Sequence, residues 1–356
     1  MSDKLRVLVA GCGNMGASHA RAYHKLDDFE IVGLVSRTAE SREKLNEELG
    51  GGYPCYADFD EALALAKPDV VSVNTYAETH VDYTLKSLKS GAHVFVEKPL
   101  AITVEEAQSV ADMAKAVNKK VVVGYILRVH PAWAKFVEIA QGLGKPLVMR
   151  MNLNQQSSGK HWQTHKNLMN TMSPIVDCGV HYVDVMCMMT RAKPIRVSAI
   201  GARLTDEIKP TMYNYGQLQV TFDDGSVGWY EAGWGPMMSE VAYFVKDVIG
   251  PKGCVNIVDA PKGDGSQDID GHSKTGSLKV HYAATNDKGE YVKPDQIVDT
   301  SSEPDHDGLC ELEQLYLLKA IKEDLDLTDH LNDAVNSLRI VLAADESFKT
   351  GKTVEL

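Results

Sequence analysis

Residues 5–16 of this chain read LRVLVAGCGNMG, an apolar run that meets a glycine-rich turn and leads into a stretch that permits a helix through His24. A strand, a glycine turn and a helix in this order are typical of a dinucleotide-binding unit. Gly11 lets the chain turn tightly, Gly13 lets the backbone approach a pyrophosphate, and Gly16 lets the helix pack closely on the strand. The phosphates of such a ligand would lie at the positive end of the helix.

A second apolar run supports this interpretation. Residues 30–35 read EIVGLV and follow at the distance expected for the next parallel strand, which completes a βαβ unit. A glycine pattern by itself is a weak signal, and the structural alternative is a turn that only joins a strand to a helix. Because strand, turn, helix and second strand agree, we predict a dinucleotide site.

The residues after the second strand bear on the choice between NAD and NADP. In an NAD site an acidic residue here accepts hydrogen bonds from the ribose hydroxyls, whereas an arginine accommodates the 2′-phosphate of NADP. This chain has Ser36, Arg37 and Thr38 at this point, with Arg42 further along the next helix. The two hydroxyls can donate to a phosphate and Arg37 can pair with it. The sequence favours NADP, and NAD stays open because Glu40 is close.

The composition excludes several classes of protein. The chain has 356 residues, 44% hydrophobic and 24% charged, with a formal net charge of -12. This length suits two globular domains, and the negative charge gives no basis for binding nucleic acid or an anionic membrane. The first residues do not look like a secretory signal, no apolar run reaches membrane-spanning length, and the six cysteines form no C-x-x-C pair. We expect a cytoplasmic protein with free thiols and no nucleic-acid or membrane partner.

Strands and helices alternate from the glycine turn to Gly124. Apolar runs separated by helical stretches predict a doubly wound parallel sheet, here a Rossmann domain over residues 1–128. Ligands of such sheets bind beyond the carboxyl ends of the strands. The residues expected at these ends are Asn74, Thr75 and His80 after one strand, Glu97 and Lys98 after the next, and Tyr125 and Arg128 after the last.

Lys98 is the most informative of these residues. It follows an apolar strand and precedes Pro99, which restricts the local backbone. A lysine in this position could stabilise alkoxide character on a substrate oxygen. The alternative is a surface lysine paired with Glu97, since exposed ion pairs are common and weak.

Beyond Pro131 the hydrophobic pattern changes to a period of two. Alternating strands with β-branched and aromatic residues predict a large, mostly antiparallel open sheet, one face of which is exposed or covered by a partner. The predicted strands cover residues 147–154, 195–204, 216–222, 226–234 and 240–249, with a hairpin turn at 223–225 and a long polar loop at 259–276. Two helices and a short strand follow, so we predict an α+β domain over residues 129–356.

A titratable stripe lies inside this second domain. Ser173 is a good N-cap and Pro174 suits the first helical position, so a helix should begin here. Spacings of four and three place Asp177, His181 and Asp184 on one face of it. A histidine can move the carbinol proton during hydride transfer, and Asp177 could orient its imidazole. The alternative is a core histidine held by two carboxylates for structural reasons.

Two other polar segments are weaker candidates. Residues 161–166 contain His161, Trp162 and His165, and two histidines four positions apart could bind a metal. No carboxylate or cysteine stands near them in the sequence, so we expect a substrate or cofactor loop and no metal. Four amide side chains suit hydroxyl recognition in a sugar, although a solvated strand edge explains them equally well: Asn152, Asn154, Gln155 and Gln156.

Together, the glycine turn, Glu97-Lys98-Pro99 and Asp177-x-x-x-His181 resemble the glucose-fructose oxidoreductase, inositol dehydrogenase and MocA (Gfo/Idh/MocA) family. The likeness spans essentially the full length, and the two later motifs are far more specific than the glycine turn. It implies a Rossmann domain followed by an α/β domain whose open sheet mediates a homodimer or homotetramer. It further implies oxidation of a ring hydroxyl, or reduction of the ketone, in a sugar or cyclitol, with Lys98 and His181 catalytic and Asp177 assisting.

The chain also departs from the pattern of that family. Tyr76 stands where a proline is usual, Ile126 where an asparagine is frequent, and Ser173-Pro174 replaces a glycine-rich start of the catalytic helix. These departures affect the identity of the substrate more than the class of reaction.

We therefore predict an NAD(P)-dependent dehydrogenase with three groups of site residues. The predicted catalytic residues are Lys98, Asp177 and His181. The predicted cofactor contacts are Gly11, Gly13, Asn14, Met15, Gly16, Ser36, Arg37, Thr38, Arg42, Asn74, Thr75, His80, Glu97, Lys98, Arg128 and Trp162. The predicted substrate contacts are Lys98, Tyr125, Asn154, His161, His165, Asp177 and His181. The alternatives are a glycosidase that oxidises its substrate transiently, eliminates the glycosidic bond and returns the hydride, and a dinucleotide sensor without activity.

Overall fold

The computed structural model describes residues 4–238, 245–258 and 275–356. The chain divides into two compact units. One comprises Met1–Val129 with Pro304–Val335, and the other comprises His130–Glu303 with Asn336–Leu356. The first boundary lies next to the predicted one, but residues 304–335 join the first unit, whereas the sequence assigned them to the second domain.

The first unit is built on a six-stranded sheet in the order β3-β2-β1-β4-β5-β6, and all its strand pairs are parallel. The strands are β1 (Leu5–Ala10), β2 (Phe29–Val35), β3 (Cys55–Tyr56), β4 (Val70–Val73), β5 (His93–Val96) and β6 (Val121–Val123). The helices that alternate with them are α1 (Asn14–Lys25), α2 (Ala39–Glu48), α3 (Phe59–Ala66), α4 (Ala77–Lys89), α5 (Val104–Ala116) and α6 (Ile126–Val129). The predicted doubly wound sheet is confirmed.

Local signals fix the ends of these helices. The Asp58 side chain accepts a hydrogen bond from the Glu61 backbone N–H at 2.8 Å and begins α3. Thr103 does the same for the Glu106 N–H at 3.2 Å and begins α5. Each cap satisfies a backbone donor that the helix itself leaves unpaired, which fixes where the helix begins.

The second unit contains a nine-stranded sheet in the order β14-β13-β12-β11-β7-β10-β9-β8-β15. Its strands are β7 (Val148–Gln156), β8 (Pro194–Ala202), β9 (Tyr215–Phe222), β10 (Val227–Gly235), β11 (Lys246–Gly250), β12 (Gly253–Ile257), β13 (Ser277–Tyr282), β14 (Gln296–Asp299) and β15 (Val354–Glu355). The pair β7–β10 is parallel and the other described pairs of this sheet are antiparallel, which confirms the predicted mostly antiparallel sheet. Residues 240–244 of one predicted strand and residues 259–274 of the predicted loop lie outside the described residues.

Helices cover one face of this sheet. They are α7 (Pro131–Gly142), α8 (Gly159–Leu168), α9 (Pro174–Asp177) and α10 (Gly179–Thr190). The predicted loop at residues 161–166 is wrong, because α8 occupies it: Trp162 and Met169 are buried on its inner side in a cluster with Ile208 and Trp234. The predicted helix at Pro174 forms, but it is interrupted at Cys178.

Two long helices close the chain, α11 (His306–Lys322) and α12 (Thr328–Thr350). In α11, Leu317, Leu318 and Ala320 are buried in the same hydrophobic cluster as Val7 and Val9 of β1. This burial explains why residues 304–335 belong to the first unit. Across the described ranges, the helices are all too short or too polar to span a bilayer.

Candidate active site

The glycine turn follows β1 in the first unit and has the geometry that a dinucleotide requires. Gly11 has a φ of +97°, and a Cβ at this position would lie 2.3 Å from the Asn74 carbonyl oxygen. A Cβ at Gly16 would lie 1.9 Å from the Gly11 carbonyl oxygen, whereas a Cβ at Gly13 would meet no atom within 4 Å. Two glycines are thus required by the packing of the protein itself. Gly13, at the start of α1 beside the exposed Asn14, leaves open space that suits a pyrophosphate.

Hydroxyl groups cluster at the end of β2. The Ser41 Oγ lies 2.7 Å from the Ser36 Oγ and 2.6 Å from the Thr38 Oγ1. Arg42 donates through Nη1 to the Ser36 carbonyl oxygen at 2.8 Å, while Arg37 is exposed. The sequence analysis did not include Ser41, although its place in the first turn of α2 was a usable signal. The arrangement offers hydroxyl donors and one exposed guanidinium, which suits a ribose or its phosphate.

His80 connects two strand-end segments. Its Nδ1 lies 2.7 Å from the Pro99 carbonyl oxygen and its Nε2 lies 3.0 Å from the Thr75 carbonyl oxygen. The ring is 1% exposed, and this burial lowers the pKa of His80, while the two carbonyl groups oppose the shift. Asn74 is also buried and hydrogen-bonds Ser72 at 3.0 Å. These contacts hold the loops in place, and cofactor contacts by His80 and Asn74 stay predictions.

In the loop after β5, Lys98 is more exposed than the residues on either side of it. Glu97 and Pro99 are buried, whereas Lys98 is half-buried. One Glu97 oxygen, Oε1, lies 2.8 Å from the His19 Nε2, and the other accepts a hydrogen bond from the Lys98 backbone N–H at 3.1 Å. Glu97 therefore is not an exposed surface acid, and its side chain helps to hold the backbone of Lys98.

The last strand of this sheet leads to Tyr125 and Arg128. Tyr125 is 1% exposed, and the Arg128 guanidinium carbon lies 5.8 Å from the centre of its ring. Arg128 Nη2 donates to the Asp333 Oδ2 at 2.9 Å. Because this ion pair is formed within the protein, Arg128 is fixed by α12, and its predicted cofactor contact stays a prediction.

In the second unit, Ser173 begins the segment that contains Asp177 and His181. The Ser173 Oγ accepts from the Val176 N–H at 3.2 Å and donates to the Asp345 Oδ1 at 2.7 Å. Asp177 and His181 are half-buried, whereas Asp184 is fully buried. The predicted stripe therefore divides: its first two members are accessible, and the third belongs to the core.

Side chains of β7, α8 and β10 lie close to this segment. The Cys178 Sγ lies 3.3 Å from the Gln155 Oε1 and 3.6 Å from the Asp177 Oδ2. Gln155 also accepts from the Trp234 indole N–H at 2.6 Å, and the His165 ring is stacked on Trp234 with ring centres 4.4 Å apart. His165 of α8 therefore lies near this segment, and its predicted substrate contact stays a prediction. Trp234 was missed by the sequence analysis, because nothing in an alternating strand marks one aromatic residue as part of a site.

The other predicted residues of this unit have different surroundings. His161 is exposed on α8. Trp162 is buried and donates to the Glu207 Oε1 at 3.3 Å. Asn154 donates to the Glu231 Oε1 at 2.6 Å. Trp162 therefore has a packing role, and ligand contacts by these three residues stay predictions.

A cluster of His19, Cys310 and Glu313 brings three potential metal ligands within 4.8 Å of one another in the first unit. All three are buried, and the sequence analysis did not single them out. Both ring nitrogens of His19 already have hydrogen-bond partners, Glu97 and Gln314. His19 is therefore committed to hydrogen bonding, and the expected lack of a metal site stays a prediction.

The parallel sheet and the open glycine turn define a dinucleotide-binding domain. The chain belongs to the GFO/IDH/MocA family. Residues 5–125 match its oxidoreductase family domain with NAD-binding Rossmann fold, and residues 138–254 match a C-terminal domain of the same family. The expected family, fold class and oxidoreductase class are confirmed.

The chain is similar to several characterised dehydrogenases. It is 25% identical to the scyllo-inositol 2-dehydrogenase (NAD(+)) of Bacillus subtilis (strain 168), over 100% of this chain and 97% of the relative. It is 28% identical to the UDP-N-acetylglucosamine 3-dehydrogenase of Acidithiobacillus ferrooxidans, over 57% of this chain and 60% of the relative. Matches to further sugar and inositol dehydrogenases cover between 53% and 59% of the relative's length.

The fold is that of a solved scyllo-inositol dehydrogenase from Lactobacillus casei, whose crystal structure contains NAD(H) and scyllo-inositol. The TM-score is 0.77 at 19% identity, with 99% of each chain covered. This likeness concerns the fold alone.

Proposed function

We propose that the protein is an NADP-dependent dehydrogenase that oxidises a ring hydroxyl of a sugar, sugar derivative or cyclitol, or reduces the corresponding ketone. The family supports the hydride chemistry, and the names of the similar proteins support the substrate class. The observation that carries the proposal is that the three predicted catalytic residues are more exposed than most of their neighbours in the sequence. Lys98, Asp177 and His181 are accessible, whereas the residues beside them in sequence, such as Glu97, Val176 and Tyr182, are buried.

The roles of the three residues follow from proton balance. Oxidation of an alcohol releases a hydride from the carbinol carbon and a proton from the hydroxyl oxygen. A bound nicotinamide supplies the hydride acceptor. His181 takes the hydroxyl proton, Asp177 orients the His181 ring, and Lys98 stabilises the negative charge that develops on the substrate oxygen. In the reverse direction His181 returns the proton.

The substrate contacts are proposed from the groups around Asp177. Gln155 accepts hydrogen bonds through its Oε1 from Trp234 and Cys178, which orients its amide. The stacked rings of His165 and Trp234 provide an apolar surface. Amides and aromatic faces together suit a polyhydroxylated ring. Tyr125, Asn154 and His161 are proposed as further contacts.

The preference for NADP is proposed from the end of β2. Ser36, Thr38 and Ser41 offer hydroxyls, Arg37 is exposed, and the position that binds ribose in NAD enzymes carries no acid. The names of two of the similar proteins refer to NAD(+) or NAD(H). The preference between NADP and NAD therefore has to be measured.

The decisive experiment incubates the pure protein with NADP or NAD and a panel of free sugars, cyclitols and nucleotide sugars, and follows reduced-nicotinamide absorbance. We expect one polyol to give turnover that His181→Ala reduces by at least about 100-fold. Unchanged turnover in His181→Ala would refute the assigned role. Tight cofactor binding with no turnover of any compound would favour a sensor, and release of an aglycone without net reduction of cofactor would favour the glycosidase.

Arg37→Ala tests the cofactor preference. Loss of one charge-assisted pair should raise the KM for NADP by roughly tenfold and leave the KM for NAD within about twofold. Arg6→Ala is the matched control, because Arg6 lies at the start of β1 and donates to the Lys67 carbonyl oxygen. Equal effects of Arg37→Ala on both cofactors would contradict a 2′-phosphate contact.

We also propose that the open face of the second unit's sheet forms a homodimer or homotetramer. Val148, Val227 and Ile249 are cross-strand neighbours on β7, β10 and β11, and each is 38–40% exposed. A row of apolar side chains across three adjacent strands is suited to burial against a second copy. Light scattering should show an oligomer that Val227→Asp weakens, and a monomer at micromolar concentration would refute the assembly.

A further inference from the structure

A buried chain of polar groups lies beneath the loop that carries Lys98. In the first unit, Tyr23 donates to the Gln314 Oε1, and the Gln314 Nε2 lies 2.9 Å from the His19 Nδ1. The His19 Nε2 lies 2.8 Å from the Glu97 Oε1, and the Glu97 Oε2 accepts from the Lys98 backbone N–H at 3.1 Å. Four of these residues are buried, namely Tyr23, Gln314, His19 and Glu97. Water therefore does not compete for their hydrogen bonds.

The amide of Gln314 sets the direction of the hydrogen bonds between Tyr23 and His19. Burial raises the pKa of Tyr23, so its hydroxyl keeps its proton and donates to Gln314. The amide nitrogen of Gln314 must then face His19, and because it can only donate, the His19 Nδ1 accepts. The proton of His19 is therefore on Nε2, from where it is donated to Glu97.

We infer that Gln314 of α11 is a positioning residue for Lys98, acting through the tautomer of His19 and the carboxylate of Glu97. The inference rests on the proposed role of Lys98. With the proton on Nε2, His19 fixes one oxygen of Glu97 and leaves the other aimed at the Lys98 backbone. With the proton on Nδ1, the Glu97 Oε1 would face a lone pair of His19, and the two acceptors would repel each other.

The neighbour of Gln314 on α11 protects this arrangement. Glu313 is 2% exposed, and its Oε1 has no hydrogen-bond partner among the described residues. Burial and the nearby Glu97 raise the pKa of Glu313 well above its ordinary value. This shift favours the uncharged form of Glu313, which would not compete with Glu97 as a charged acceptor.

The direct test is the tautomer of His19 in the full-length protein. Nitrogen-15 NMR of histidine-labelled protein distinguishes a protonated from an unprotonated ring nitrogen, and the His19 signals are assigned by their loss in His19→Gln. We expect an unprotonated Nδ1 and a protonated Nε2. Gln314→Leu removes the donor to Nδ1, so a second tautomer should appear. A protonated Nδ1 in the unmodified protein would overturn the inference.

Kinetics then show whether the tautomer affects Lys98. Gln314→Leu should lower kcat about tenfold, the size of one lost hydrogen bond in the transition state, with the KM for the cofactor within about twofold. Leu317→Ala is the control, because Leu317 is fully buried on the same helix and outside the hydrogen-bonded chain. Equal losses of kcat in both variants would reduce Gln314 to a packing role and refute the inference.

Tyr23→Phe supplies a second variant that removes only one hydroxyl. Without that donor, the Gln314 amide can turn over, so Tyr23→Phe should lower kcat in the same direction. Combining it with Gln314→Leu should cost little more than Gln314→Leu alone, because both act through one chain. Additive losses would contradict that chain. Full turnover in Lys98→Met would refute the proposed function, while the NMR result on His19 would stand independently.

Discussion

Two lysines of this protein differ in their environment: Lys98, for which we propose a catalytic role, is half-buried, whereas Lys246 lies in the core. Lys98 follows β5 in the first unit, is half-buried, and has its backbone N–H tied to Glu97. Lys246 begins β11 in the second unit and is 2% exposed. Its Nζ lies 5.6 Å from the centre of the Trp133 ring and 5.4 Å from that of Tyr182, the residue after His181.

The environment changes the chemistry of Lys246. Burial lowers the pKa of Lys246 to about 7, and the charge of Glu303 only partly opposes this. A lysine with such a pKa is often a catalytic residue. Here the amine is enclosed by aromatic rings in the core, so its pKa reflects burial. Lys98, for which we propose the catalytic role, is only half-buried.

Glu313, a buried acid of the first unit, shows that burial raises the pKa of an acid, whereas it lowers the pKa of a lysine. Burial and Glu97 raise the pKa of Glu313, so the acid keeps its proton, whereas burial makes Lys246 lose its proton more readily. In both cases the protein interior favours the uncharged form. These two residues should therefore change the pH dependence of the protein's stability in opposite directions.

The largest expected effect is that of Lys98→Met. Loss of the ammonium that stabilises the substrate oxygen should lower kcat/KM by at least about 100-fold, or about 2.7 kcal/mol of transition-state stabilisation. Initial rates with the substrate found in the panel measure this loss. A fall of less than about fivefold would remove the functional distinction between the two lysines.

Lys246→Met should affect stability and leave activity almost unchanged. We expect kcat within about twofold of the unmodified protein and a gain in stability of roughly 2 kcal/mol at pH 7. The pKa of Lys246 is about 7 in the fold against an ordinary 10.5, so the unfolded chain binds more protons between these values. Stability of the unmodified protein therefore rises with pH across this window. The advantage of the variant is greatest at pH 7 and below and disappears near pH 10.5.

Denaturant titrations at several pH values measure this profile. Glu303 stays hydrogen-bonded in the variant, because the Thr275 N–H donates to its Oε1 at 2.9 Å and the Thr275 Oγ1 donates to its Oε2 at 2.9 Å. A variant that is less stable than the unmodified protein at pH 6 would show that Lys246 is held as a stabilising cation.

Glu313→Gln should give a smaller gain, about 1 kcal/mol at pH 8. The folded pKa of Glu313 is raised above its ordinary value of 4.5, so the folded protein binds the extra proton. Above pH 4.5 the unfolded chain ionises at this residue, and the unmodified protein loses stability as the pH rises. The variant removes this loss, so its advantage grows with pH, opposite to that of Lys246→Met. An advantage that instead grows toward acid pH would contradict a protonated Glu313.

The smallest effect is expected from Thr103→Ala, which provides a baseline for the others. Thr103 caps α5 through the Glu106 N–H, and loss of this cap should cost about 0.5 kcal/mol of stability. Because the hydroxyl does not titrate, the loss should be the same from pH 5 to pH 9 by the same denaturant titrations. A pH-dependent loss would show that the titrations report more than the substituted group.

The first unit could be predicted almost element by element, because its strands, caps and glycines are local features. Asp58 and Thr103 cap the predicted helices, and Gly13 faces open space as its motif requires. The second unit was predicted less completely. Strands β12 to β14 were not predicted, and α8 was predicted as a loop because its polar residues hide the buried Trp162.

By itself, the sequence determined the Rossmann fold, the oxidoreductase family and the residues that carry the candidate chemistry, because spacing and residue type encode these properties within short segments. Only the tertiary structure decided that α11 joins the first unit, that Asp184 is buried while Asp177 is accessible, and that Gln314 meets His19 across 295 positions. Those features depend on the packing of distant residues, and a hydrogen bond between residues so far apart leaves no periodicity in the sequence. The same physical reason accounts for Lys246, whose pKa is lowered because the fold buries it in the core of the second unit.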